Sequence, residues 1–269
     1  MALPPTPPQQ PTAAFNGSVL FYKQPEPLSR EQHAKMGLRR VDKPFGFAAA
    51  TNVVPLTVSE FPVAALSYPI IFAGDRRQPL AVMGVGAEQN LFVDGEGGFV
   101  PGAYIPAYVR RYPFVLASDD ARGQLVVCID RAASMLGEDY DVAFFDEKGE
   151  ATAYTTNCIK FCNDFELEGR RTEAFVNLLN ELDLFETKQA TFTPMNPDGT
   201  PGQPQRIAEY FGVSEPKVQA LGAEKLKELT GNGALGQIYA HLISLTGWDR
   251  LIALSIARQN AMPAAANVN

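Results

Sequence analysis

Residues 60–75 and 104–119 align without a gap, and this internal echo constrains the fold more than any other feature of the sequence. Pro62/Pro106, Tyr68/Tyr112, Pro69/Pro113, Ala73/Ala117 and Asp75/Asp119 are identical, and Ile70-Ile71-Phe72 matches Phe114-Val115-Leu116 in character. The later copy opens on Tyr104-Ile105-Pro106-Ala107-Tyr108-Val109-Arg110-Arg111-Tyr112-Pro113-Phe114, which gathers four aromatics, two prolines and two arginines into eleven residues. The pattern predicts one domain built from two related units.

Each copy reads as helix, strand, strand, strand, turn. In the first, Ser59 is positioned to cap a short helix whose first turn tolerates Pro62, because first-turn amides have no intrahelical acceptor to lose. Pro69 disfavours helical geometry at Tyr68 and ends that helix. Ile70–Phe72, Leu80–Val85 and Asn90–Val93 read as strands, and Asp94-Gly95-Glu96-Gly97-Gly98 as a tight turn. In the second, Phe114–Ala117 and Leu125–Asp130 form a hairpin across the turn containing Gly123. Asp141–Phe145 is the third strand, ending in a turn at Asp146–Gly149. Paired together, the copies predict a mainly antiparallel sheet over residues 18–150.

Upstream, residues 1–17 are rich in proline and glutamine and read as a disordered arm. Ser29 with Gln32 marks a short helix to Met36, closed by Gly37. From residue 151 the period changes. Tyr154, Cys158, Phe161, Cys162 and Phe165 fall on one helical stripe, and Thr172 is positioned to cap a second helix with Phe175, Leu178, Leu179 and Leu182 inward. Thr191–Gln205, with Asp198-Gly199, reads as a loop or irregular hairpin. Ser214 caps a helix carrying Pro216 in its first turn, and Leu235–Leu245 with Trp248–Ile256 forms a helical hairpin broken at Gly247. Residues 151–258 are thus a helical region packed on the sheet, and 259–269 a frayed tail. The fold class is α+β.

Composition narrows the function classes. A chain of 269 residues buries roughly 75% of the surface its unfolded form exposes. The formal net charge of −7 opposes an electrostatic grip on phosphate backbones or anionic lipid, so no nucleic-acid partner is expected. No apolar run is long enough for a transmembrane segment. Neither a basic n-region nor an apolar h-region opens the chain, so the default compartment is a reducing cytoplasm, and a surface location needs a dedicated export route. Three cysteines are not a disulfide framework.

Several motifs carry alternative chemistries. Arg110 and Arg111 stand where the first copy has Leu66 and Ser67. With Tyr104, Tyr108 and Tyr112 they offer guanidinium forks and stacking faces to an anionic ligand or partner. Alternatively they pair with carboxylates such as Asp119 and Asp120 while their stems cover apolar surface. Cys158 and Cys162 are spaced as a metal pair but need further ligands, for which Cys128 is the candidate; on their apolar stripe they read as small core residues. Gly84-x-Gly86 lacks the third glycine of a dinucleotide fingerprint. Asp94-x-Glu96 lacks the spacing of an EF-hand. His241 reads as a hydrogen-bonded helix histidine rather than a general base. No nucleophile elbow and no His-Glu-x-x-His motif is present, so no catalytic residue, metal or cofactor is assigned.

Glu60-Phe61, Tyr68-Pro69-Ile70, Asn90-Leu91-Phe92, Tyr104-Ile105-Pro106, Arg111-Tyr112-Pro113-Phe114 and Tyr239-Ala240-His241-Leu242, in this order, resemble the SapC family of bacteria over about residues 18–257. That resemblance implies association with a surface layer (S-layer) of the cell. It implies a non-catalytic interaction or assembly protein, acting as a homo-oligomer or through a protein partner. The alternative is a small-molecule-binding accessory protein or enzyme, with an anionic ligand near Tyr104, Tyr108 and Arg111. A module that recognises a peptide along an exposed strand edge is a third reading.

Overall fold

The computed structural model describes residues 19–119, 124–193 and 200–261. The arm at 1–17, the turn at Gly123, Asp120 and the Asp198-Gly199 turn lie outside the described residues, as does most of the C-terminal tail. In chain order the elements are β1 (Pro25–Pro27), α1 (Arg30–His33), β2 (Gly37–Leu38), β3 (Val53–Pro55), α2 (Phe61–Ala64), β4 (Ile70–Ala73), β5 (Gln78–Val82), α3 (Ala107–Arg110), β6 (Phe114–Asp119) and β7 (Gln124–Asp130). They continue with β8 (Leu136–Gly137), β9 (Val142–Ala143), α4 (Ala153–Glu181), β10 (Phe185–Phe192), β11 (Gln205–Val213), α5 (Glu215–Gln219), α6 (Ala223–Gly231), α7 (Ala234–Ser244) and α8 (Gly247–Ala261). The fold is α+β with antiparallel sheets and a helical C-terminal region, as the sequence predicts.

The chain divides into two compact units interleaved in sequence. One comprises residues up to Val41 with Arg111–Asp164; the other comprises Asp42–Arg110 with Phe165 onward. In the first unit, β7 lies between β1 and β6, and β2 lies between β8 and β9. Phe114, Ile129 and Phe144 are fully buried there with Met36, Leu136 and Cys162 around them. The Phe114 and Phe144 rings meet edge to face at 5.6 Å, a geometry that aligns the positive ring edge with the negative face.

In the second unit the sheet order is β10-β11-β4-β5-β3. The β4–β5 turn needs positive φ at Gly74 (70°), where glycine carries no Cβ penalty. Phe72 is the centre of the core. Its ring makes edge contacts with Phe61, Phe185 and the His241 imidazole at 6.1, 5.0 and 5.0 Å. Tyr68 stacks edge-on against Phe92 at 4.5 Å.

The two copies of the echo therefore do not share a sheet. β4 and β5 pair with each other in one unit, β6 and β7 in the other. The local order helix, Tyr-Pro corner, strand, strand recurs in both, but strand partners are chosen by long-range burial that the repeated segment does not encode. The predicted third strands shrink to a two-residue β9 and to single bridges, Val93 with Phe99 and Phe145 with Ala151, each closing a turn begun by an aspartate. Asp94 Oδ1 accepts from Gly98 N at 2.8 Å, and Asp146 Oδ1 from Glu150 N at 2.9 Å. The Tyr112–Pro113 peptide is cis; Tyr68–Pro69 is not among the cis bonds of the described residues.

Four local expectations change. A 3-10 turn over Val58–Glu60 leads into α2, and it is capped at Thr57, not Ser59, because the Glu60 carboxylate reaches back three residues to the Thr57 N–H and hydroxyl, both at 2.8 Å. Thr172 caps nothing: α4 runs unbroken over 29 residues, the Thr172 hydroxyl donating to Glu168 O at 2.7 Å within the helix. Thr191–Gln205, read as a loop or irregular hairpin, lies between two long strands that the sequence did not announce: β10 and β11 pair antiparallel at one side of the sheet. Gly37 starts a strand instead of closing α1, though Ser29 caps that helix by accepting from Gln32 N.

Candidate functional site

Glu60 is the polar centre of the second unit, 5% exposed. Its Oε1 accepts from the Tyr104 hydroxyl at 3.0 Å and from Ala107 N at 2.7 Å. Its Oε2 takes the two Thr57 donors. Four donors offset the cost of burying the carboxylate. Glu60 and Tyr104 are equivalent positions of the echo, so the two copies meet at matching places. Tyr104 is spent on structure. Its N–H donates to Ser67 Oγ at 3.1 Å, its carbonyl accepts from the Tyr68 hydroxyl, and its own hydroxyl accepts from Arg110 Nη2 at 3.2 Å. Arg110 also donates from Nε to Ile105 O at 3.0 Å, with its guanidinium 5.8 Å from the Tyr104 ring centre. Burial raises the Tyr104 phenol, and the Glu60 charge adds to that. Burial raises Tyr68 likewise, with Tyr104 second.

Tyr108 does something different. It is buried at the wall of a cleft of about 650 Å³, its ring 6.1 Å from that of Phe165. The size falls in the range typical of small-molecule sites. The apolar wall is Pro55, Leu56, Pro79, Tyr108, Phe165 and Val176; α4 faces the β4–β5 turn across it. Glu166, Arg170 and Glu173 come from successive turns of α4, Asp75 and Arg76 from the β4–β5 turn, and Gln78 from the start of β5. Arg170 Nε lies 3.7 Å from Glu166 Oε1. Among the described residues the side chains of Asp75, Arg76, Gln78, Glu173 and Asn177 have no hydrogen-bond or ion-pair partner. Three carboxylates against two guanidiniums make this a poor attractor for an anion. The set suits a polar ligand that both donates and accepts.

Arg111 and Tyr112 belong to the first unit. The Arg111 guanidinium lies 5.7 Å from the Tyr22 ring centre, and Tyr22 meets Tyr112 edge-on at 5.3 Å. The Tyr112 hydroxyl donates to Asp130 Oδ2 at 3.0 Å. Asp130 is fully buried and also accepts from the N–H groups of Lys23, Gln24 and Ala132 at 3.2, 2.8 and 3.2 Å. Burial, then the Asp130 charge, raises the Tyr112 phenol. The five residues predicted as one patch thus divide: Tyr104 touches Arg110, Tyr108 lines the cleft, and Arg111 and Tyr112 serve the other unit.

The family model for SapC matches residues 28–251. The chain belongs to the SapC family. No curated protein and no solved structure matches it. The Glu60 cluster, the cleft and Asp130 all fall within the span matched by SapC.

The three cysteines and His241 of this SapC chain are held in structural roles. Cys128 and Cys162 are buried, and burial pushes both thiols up to about 11; Cys158 is half-buried and raised for the same reason. At neutral pH they are thiols, not nucleophilic thiolates. The fully buried His241 donates from Nδ1 to Ile70 O at 2.9 Å and accepts at Nε2 from Val213 N at 3.0 Å. Desolvation lowers its pKa to about 4, so it stays neutral. Among the described residues no group of three His, Cys, Asp or Glu is placed to hold a metal ion, and no helix is long and apolar enough to cross a membrane. Sequence reasoning missed Glu60 and the α4 wall of the cleft. The signal for Glu60 was available: it is the first-copy counterpart of Tyr104.

Proposed function

We propose that this SapC-family chain is a non-catalytic interaction protein that works by self-association or by engaging a protein partner, with surface-layer association as its setting. The observation that carries this reading is the outer edge of β10. It is eight residues long and has no strand partner among the described residues. Open edges of this length are ready templates for another chain. The polar groups of the Glu60 and Asp130 clusters are spent on packing, with no nucleophile–base pair among them. Crosslinking in cells followed by fractionation tests the reading. It expects crosslinked species containing a second copy or a surface protein; recovery of the chain only as uncrosslinked monomer overturns it.

A second reading is favoured by one feature, the cleft beside Tyr108 with its unpartnered polar side chains. It expects a small polar molecule to copurify with the protein and to be lost in Arg76→Ala with Glu173→Ala. The anionic ligand at Tyr104, Tyr108 and Arg111 has less support, because Tyr104 and Arg110 bond each other and Arg111 lies in the other unit.

A further inference from the structure

We infer that the partner of β10 is β10 of a second copy of this chain, paired antiparallel about a two-fold axis at Thr187. This deepens the self-association proposed above and rests on it.

The backbone fixes which amides are available. Ser214 N donates to Leu184 O at 2.8 Å, which makes Leu184 a hydrogen-bonded position toward β11. Antiparallel ladders alternate, so Glu186, Lys188 and Ala190 also face β11, while Phe185, Thr187 and Gln189 present N–H and C=O to the open edge. Two side-chain contacts agree with this phase. Lys217 Nζ donates to the outward Phe185 O at 3.2 Å, and Val213 N, opposite Phe185, turns away from β10 to His241.

Only like-phased residues can face each other across a new ladder, so the two-fold axis must pass through a residue, not between two. An axis at Glu186 sets Glu186 against Glu186, and one at Lys188 sets Lys188 against Lys188. An axis at Gln189 sets Lys188 against Ala190 and runs into the bulge between Ala190 and Thr191. An axis at Thr187 sets Glu186 of each copy against Lys188 of the other, twice, with Thr187 facing Thr187. Opposite charges and threonine pairs are favourable across strands, and like charges are not. Within one chain Lys188 Nζ already bonds Glu186 Oε1, and both side chains remain partly exposed at 26% and 38%. The dimer therefore closes a ring of alternating charge. Lys217 occupies one lone pair of Phe185 O, so the two Thr187 hydrogen bonds are the centre of the contact.

Charge exchange on the full chain tests the register by sedimentation equilibrium at roughly 100 µM. Wild type is expected to dimerise. Glu186→Lys alone and Lys188→Glu alone each place like charges opposite one another and weaken the dimer roughly thirtyfold. An equal mixture of the two variants restores association as a heterodimer. Thr187→Pro removes an outward N–H without touching the β11 ladder and also yields monomer, with a melting temperature equal to that of wild type at dilutions where wild type has dissociated. A wild-type dimer indifferent to all three substitutions overturns the Thr187 register while leaving self-association in place. A wild-type monomer overturns both.

Discussion

The hairpins β4–β5 and β6–β7 each open on one copy of the echo and live in different surroundings. Each follows a short helix and a Tyr-Pro corner, and each pairs its second strand with a short strand from upstream, β3 or β1. The upstream strands match too. Pro55-Leu56-Thr57 and Pro27-Leu28-Ser29 each lead into a helical turn, Leu56 N donating to Pro79 O at 3.0 Å and Leu28 N to Val127 O at 2.9 Å. The first strands then diverge. β4 is flanked by β11, through Phe72 and Phe211, whereas β6 ends its sheet. A shared local program specified the supersecondary unit in both places. The sheet each unit joined was decided by what lay beside its outer strand.

This contrast is most easily broken in the core. Phe72 is fully buried among three rings, and its counterpart Leu116 is half-buried. Phe72→Ala is expected to cost about 4 kcal/mol and Leu116→Ala about 2 kcal/mol, read as urea midpoints. Equal costs would mean that the two hairpins are equally embedded. Glu60→Ala comes next, at about 3 kcal/mol, because it orphans donors at Thr57, Tyr104 and Ala107. Tyr104→Phe, the counterpart position, removes one of those four bonds and is expected to cost about 1 kcal/mol.

A pH dependence distinguishes the units as well. His241 sits against β4, and its folded pKa of about 4 lies below the unfolded value. Its contribution is present in full above about pH 6.5 and is lost as the pH falls toward 4, because the unfolded state takes the proton first. The loss between pH 6.5 and 4.5 is expected to be about 2 kcal/mol. His241→Gln should flatten that part of the profile; an unchanged slope would assign it to carboxylates instead.

Local structure was legible in the sequence wherever local chemistry decides: the Ser29 cap, the Asp94 and Asp146 turns, the Pro69 and Pro113 corners, and the break at Gly247. The rest depends on distant partners. β10, Phe-Glu-Thr-Lys-Gln-Ala-Thr-Phe, has no clean period, because its two buried residues, Phe185 and Ala190, fall on opposite faces and polar residues stand between them. Thr172 carries the signature of a helix start, yet its hydroxyl also accepts the Val58 N–H at 2.8 Å, a contact invisible from α4 alone. Tyr104, Tyr108, Arg110, Arg111 and Tyr112 looked like one site because they are adjacent in the chain. The fold sends neighbours Arg110 and Arg111 to different units.

The smallest effect tests the corners themselves. Tyr68 and Tyr112 are identical in the echo, but their hydroxyls have different acceptors. Tyr68 donates to a neutral carbonyl, that of Tyr104, whereas Tyr112 donates to the buried Asp130 carboxylate. Charged acceptors make the stronger bond, so Tyr112→Phe is expected to cost about 1.5 kcal/mol and Tyr68→Phe about 1 kcal/mol. Asp130 keeps three backbone N–H donors when the phenol is removed, which holds the first figure at the low end for a charged pair. If Tyr68→Phe proved the costlier change, the hydroxyl's burial rather than its acceptor would set the value of these corners. The Tyr104 carbonyl would then rank with Glu60 as a place where the two copies hold each other.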